Sequence, residues 1–165
     1  MKRLIATLVL LLAAWAAPSA EATAVGEAAP PLSLPDGAGA QVSLEGLRGK
    51  VVYVDFWASW CAPCKRSFPW MNAMQQKYGA DGFTIVAVNV DKKRTDADRF
   101  LARVPADFKV VFDPAGASPA AWQVKSMPSS YVVDAAGRVV MVEHGFREER
   151  AAEVEERIRT ALKAR

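Results

Sequence analysis

Both cysteines of the chain, Cys61 and Cys64, lie in one stretch, Trp60-Cys61-Ala62-Pro63-Cys64-Lys65, directly behind the apolar run Val51 to Trp57. A Cys-x-x-Cys where an apolar strand gives way to a helix is the layout of a redox dithiol. A sulfur at a helix N-terminus faces backbone N–H groups that no helical carbonyl satisfies, together with the positive end of the helix dipole. Both favour thiolate. The spacing places Cys61 there. Free cysteine ionises near pH 8.5 and such sites lower this to about 3.5–7.5, so Cys61 is expected to attack and Cys64, one turn further in, to resolve. Attack on a disulfide gives a mixed disulfide; Cys64 then releases the reduced partner and closes Cys61–Cys64.

Other uses of the pair fit less well. As a structural staple, so short a loop would stabilise the fold by only about 2 kcal/mol, against about 3 for a loop of fifteen residues. Structural zinc needs four ligands, and the sequence offers two cysteines and a single histidine, His144. Cu(I) is the better rival, because two thiolates suit it and His144 or a methionine could serve as third ligand.

Asp55 stands six residues before Cys61 in an otherwise apolar run. Desolvation would raise the pKa of a carboxyl buried there, which suits it to accept the Cys64 proton during resolution, directly or through a water. Met127-Pro128 precedes another apolar run, and a cis proline there would expose the Met127 backbone to an extended substrate segment. Trp60 and Pro63 are expected to rim the same surface, with Phe56 and Trp57 in the core. His144 reads as a plain strand-end residue. Asp91-Lys92-Lys93-Arg94 reads as a solvated loop, and Glu153, Glu155, Glu156 and Arg157 as a wet helix face.

The elements that must hold these residues follow from periodicity. Val51 to Trp57 and Phe83 to Val90 are continuous apolar strands of the kind covered on both faces, and Lys109 to Phe112 reads as a third. A helix is expected from about Cys61 to Tyr78, with Phe68, Met71, Met74 and Tyr78 on one face, Gly79 as its stop and a kink at Pro69. Thr95 is expected to cap a helix carrying Phe100 and Leu101. Ser118-Pro119 reads as the N-cap and first residue of a short helix through Trp122. Tyr131 to Asp134 and Arg138 to Val142 flank Ala135-Ala136-Gly137 as a hairpin, and a last helix from about Glu148 carries Ala151, Val154, Ile158, Ala161 and Leu162. Leu32-Ser33-Leu34 and Gln41 to Leu44 form a smaller hairpin earlier in the chain. Strands alternating with helices, then a hairpin and a helix, give an α/β fold with a mixed central sheet flanked by helices.

Composition sets the frame. The chain has 165 residues, 52% hydrophobic and 24% charged, enough for one globular domain. Its net charge of +3, or +2 once Lys2, Arg3 and Glu21 leave with a leader, is too weak to suggest nucleic acid as a partner. Met1-Lys2-Arg3, the apolar run Leu4 to Ala17 and the small residues around Ala22 follow the order of a secretory signal peptide. The run falls short of the roughly 20 residues that span a bilayer. Residues 1–22 therefore read as a signal peptide or, uncleaved, an anchor; 23–31 as a linker with little structure; and 32–165 as the domain. Export puts the dithiol in an oxidising compartment, where it stays reduced only if something supplies electrons.

From about Gly26 to Leu162 the chain resembles the thioredoxin superfamily, and within it the exported TlpA/ResA-like thiol-disulfide oxidoreductases. Trp60-Cys61-Ala62-Pro63-Cys64-Lys65 is similar to that group's Trp-Cys-x-Pro-Cys-Lys/Arg site. Asp55 falls on thioredoxin's buried acid, Pro128 on its cis proline and Gly145 on the glycine beyond its last strand. The lead-in Gly26 to Pro31, Gly49-Lys50-Val51-Val52 and the additional helix and strand between Val90 and Trp122 are similar to the exported group. Ala87 replaces thioredoxin's buried lysine, Ser67 stands where many relatives carry glutamate, and Asp55 where many carry asparagine. The resemblance implies a thioredoxin-like fold with an N-terminal hairpin and a helix–strand insertion. It also implies a monomeric periplasmic or membrane-tethered reductase with no cofactor beyond the Cys61–Cys64 disulfide. Its expected partners are protein disulfides, such as apocytochrome c or copper-site proteins, and a membrane thiol reductant as electron donor. Oxidase or isomerase activity of the same fold and Cu(I) binding by Cys61 and Cys64 are the alternatives.

Overall fold

The structure, a computed structural model, describes residues 23–165, so the expected leader at 1–22 lies outside the described residues. Five strands form the central sheet: β3 (Val51–Trp57), β4 (Phe83–Asn89), β5 (Lys109–Phe112), β6 (Ser129–Val133) and β7 (Val139–His144). Their order is β5-β4-β3-β6-β7, with the first three parallel and β6 and β7 antiparallel. A separate hairpin, β1 (Ser33–Pro35) and β2 (Gln41–Ser43), precedes them. The helices are α1 (Ala62–Tyr78), α2 (Arg94–Leu101), α3 (Ala117–Ala121) and α4 (Ala151–Lys163). Among the described residues no helix is long and apolar enough to cross a membrane.

Every residue of β3 and β4 is buried, as continuous apolar runs require when both faces of a sheet are covered. Alternation along β3 divides the core. Val51, Tyr53 and Trp57 join Cys64, Phe68 and Met71 of α1, Phe100 of α2, and Val154 and Ile158 of α4. Val52, Val54 and Phe56 face the other way, toward Leu32, Trp122 and Tyr131. Trp57 packs against Phe68 and Phe100 with ring centroids 5.0 and 4.8 Å away, which gives the dithiol a rigid aromatic backing.

Several local expectations differ. The expected linker is partly built into the sheet edge: Gly26 and Ala29 donate N–H to the carbonyls of Val139 and Gly137, and Val139 donates to Glu27. These bonds use only backbone, so no side-chain pattern announces them. Asp36 bridges Val111 at the opposite edge, so both borders of the sheet are partly covered. Helix α2 starts at Arg94 with Lys93 at its cap and no side-chain cap bond; Thr95 is already inside the first turn. Helix α3 starts one residue before Ser118, after Gly116. There Asp113 does the capping, accepting from the Ser118 N–H and hydroxyl at 2.6 Å each and from the Gly116 N–H at 2.9 Å. Asp91 is buried rather than solvated, unlike its exposed neighbours Lys92, Lys93 and Arg94. Glu155, expected on a wet face, takes bonds from the Tyr78 hydroxyl and Lys77 and so ties α4 to α1. Helix α4 is entered through a short 3-10 turn at Glu148–Arg150, whereas α1 runs to Tyr78 with Pro69 inside it and Gly79 at its end, as expected.

Candidate active site

Cys61 and Cys64 are joined in a disulfide with their Cα atoms 5.3 Å apart. The β3 chain ends at Trp57, turns through Ala58, Ser59 and Trp60, and enters α1 with Cys61 as its N-cap and a proline in the first turn. The Cys64 N–H donates to Cys61 Sγ at 3.2 Å, the usual bond of an N-cap side chain. Once the disulfide opens, that donor and the helix dipole favour charge on Cys61. Cys64 is fully enclosed, whereas Cys61 keeps 4% exposure. Cys61 is thus the less enclosed residue of a buried pair.

The turn before Cys61 is held from below. Asp91 accepts from the Ser59 N–H and hydroxyl, both at 2.9 Å, and from the Asn89 side-chain amide at 2.8 Å. The end of β4 thus fixes the loop that delivers the dithiol. None of Asp91, Asn89 or Ser59 stands out in the sequence, because their meeting depends on β3 and β4 being parallel neighbours.

Asp55 is completely buried in β3, on the α1 side of the sheet with Tyr53 and Trp57. It pairs with Ala87 on β4 and Ser130 on β6. The Ser130 hydroxyl donates to Asp55 Oδ1 at 2.7 Å, and Oδ2 has no partner among the described residues. Burial pushes the Asp55 pKa up to about 7, and the Ser130 bond opposes this. With alanine at the neighbouring position on β4, that neighbour offers no cation to offset burial. The Tyr53 phenol is held above its ordinary range, first by burial and then by the Asp55 charge. One strand further, Glu143 pairs with Ser130 and binds Arg150 at 2.9 Å and Arg147 at 3.4 Å. Ser130 and Glu143 were not singled out from sequence; only the strand register places them in line with Asp55.

The Met127–Pro128 peptide is cis. Ser129, the next residue, pairs with Phe56, so this loop lies at the same end of the sheet as the dithiol. The Pro128 carbonyl accepts from the N–H of Gly145, whose φ of +80° suits glycine. No backbone hydrogen bond among the described residues engages Met127. Trp60 is 70% exposed beside the disulfide, Pro63 and Met127 are half-buried, and Pro128 is buried. Ser67, one turn past Cys64, is buried and donates to the Cys64 carbonyl. His144 ends β7, with Nδ1 3.2 Å from the Ser129 hydroxyl. Among the described residues no three His, Cys, Asp or Glu side chains gather as a metal site.

The Redoxin family profile matches residues 24–159. The thiol-disulfide oxidoreductase ResA of Bacillus subtilis is 34% identical over 125 residues, 76% of this chain and 70% of that protein. ResA of Geobacillus thermodenitrificans is 36% identical over 118 residues, 72% and 68% of the two chains. Among solved structures, a Chlorobium tepidum protein assigned as a thiol:disulfide interchange protein DsbE superposes with a TM-score of 0.83 at 50% identity. That match covers 86% of this chain and 99% of the other.

Proposed function

The chain belongs to the Redoxin family, as a ResA-like thiol-disulfide oxidoreductase of the thioredoxin superfamily, and from that premise we propose that it is an exported reductase of protein disulfides. The observation that carries this reading is the Cys61–Cys64 pair at the start of α1, with Cys61 at the N-cap as the less enclosed residue and an acid buried in the preceding strand. In the reduced protein the Cys61 thiolate attacks one sulfur of the partner disulfide. A Cys61–partner disulfide forms, and the other partner sulfur leaves as thiolate and takes up a proton. Asp55 accepts the Cys64 proton, and the new Cys64 thiolate attacks Cys61 Sγ. The second partner sulfur leaves, and Cys61–Cys64 closes. Two electrons have moved to the partner. A membrane thiol reductant returns them in the reverse sequence.

Trp60, Pro63 and Met127–Pro128 frame the approach, with the unpaired Met127 backbone suited to an extended partner segment. Apocytochrome c and copper-site proteins, whose cysteines must be reduced before they bind their cofactors, are the substrate classes in view, and the periplasm is the compartment. Trapping with Cys64→Ala in that compartment tests the reading. Mixed disulfides through Cys61 are expected, and their absence would sink the mechanism. Direction is decided by the reduction potential: a value near thioredoxin's, about −270 mV, supports a reductase, and one near that of DsbA, about −120 mV, an oxidase.

A further inference from the structure

We propose that a groove beside the dithiol receives an acidic segment of the partner protein, adjacent to the partner's reacting cysteine. The proposal rests on the reductase reading and adds the chemistry of the substrate. The groove, of about 300 Å³, is lined by Ser59 and Lys65, which bracket the dithiol in the chain, and by Asp96, Arg99, Phe100 and Arg103 in and after α2. Phe100 is nearly buried and forms an apolar floor. The rim carries three cations and one carboxylate, and that carboxylate is already engaged, since Asp96 pairs with Arg99. No ion pair among the described residues involves Lys65 or Arg103. Arg103 Nε donates to the Arg99 carbonyl at 3.2 Å, which holds the side chain along the rim and leaves its terminal N–H groups for a ligand.

Among the described residues the groove is therefore left with two unanswered positive charges over a hydrophobic floor, beside the turn that carries the dithiol. A compact anion would use the charges and leave the floor unoccupied. An extended peptide meets both, with acidic side chains on Lys65 and Arg103 and an apolar one over Phe100. The exposed indole of Trp60, the residue before Cys61, adds contact area. Such charges act mainly on encounter and orientation. Selection should therefore appear as a faster first attack on acidic partners.

The test uses the reduced protein and three peptide disulfides of equal length, with acidic, neutral or basic residues flanking the cysteine. At low salt the acidic peptide is expected to react about tenfold faster than the neutral one and the basic peptide more slowly still. The advantage should fade in 1 M salt, where the screening length is about 3 Å. Arg103→Glu should abolish the preference, whereas Arg157→Glu, an equal change of net charge on α4, should preserve it. Equal rates for all three peptides at low salt, or equal loss of preference in both variants, would overturn the proposal alone. Failure to reduce any of the three would overturn the reductase reading and the proposal with it.

Discussion

Asp55 has one hydrogen-bond donor and no adjacent cation on β4, so its charged form is poorly supported in the fold. As a base it must be ionised, so resolution should accelerate as pH rises through about 7. Asp55→Asn should lose that dependence and prolong the mixed disulfide about a hundredfold or more while sparing the first attack; unchanged lifetimes in stopped-flow or quench experiments would remove Asp55 from the mechanism. Stability should move the opposite way. A carboxyl whose folded pKa is about 7 against 3.8 unfolded binds its proton more tightly in the native state. Its contribution is thus fully present below about pH 4 and declines until about pH 7. In chemical denaturation of the oxidised protein, Asp55→Asn should match wild type near pH 4 and exceed it at pH 8 by on the order of 4 kcal/mol. Ser130→Ala removes the bond that favours the charged carboxylate, so the midpoint of the resolution profile should move to higher pH. A midpoint that stays put would make Ser130 only a packing residue. Asp55 was legible as a lone acid in an apolar strand. Ser130 was not, because a serine 75 residues away becomes its partner only through the pairing of β3 with β6.

At the scale of elements, the site depends on how the first turn of α1 is delivered. Asp91 gathers three donors beneath Ser59 and so couples the end of β4 to the active-site loop. Asp91→Ala would leave buried donors unpaired and should cost about 1–3 kcal/mol in a denaturant titration, with Asp91→Asn milder because it keeps one acceptor oxygen. Periodicity was sufficient to find the central strands and the long helices, since their burial is dictated by their own side chains. Helix starts were less legible. The acceptor at α3 is Asp113, five residues before Ser118, and Asp91 looked like part of a charged surface run because its neighbours are lysines and an arginine. In both cases a loop carboxylate folds back on donors that local spacing does not mark.

For the whole molecule, the fold class and the dithiol could be read from the order of elements and one motif. The closure of the sheet edges could not. Residues 26–29 lie along β7 through backbone bonds, with Arg138 also donating to the Gly26 carbonyl. A chain beginning at Pro30 should lose about 1–3 kcal/mol, seen as a melting temperature about 3–10 °C lower. An unchanged melting curve would show that this segment adds nothing to stability.

The path of that segment also fixes where the chain leaves the domain. It runs antiparallel to β7, so Thr23 comes to lie with Lys125 and His144, at the end of the sheet that carries the disulfide. Departure from the other end would place the sulfurs about 20 Å further from the exit, the length of a seven-residue strand. If the leader is retained as an anchor, the sulfurs therefore operate on a short leash close to the bilayer, within reach of a donor embedded in it.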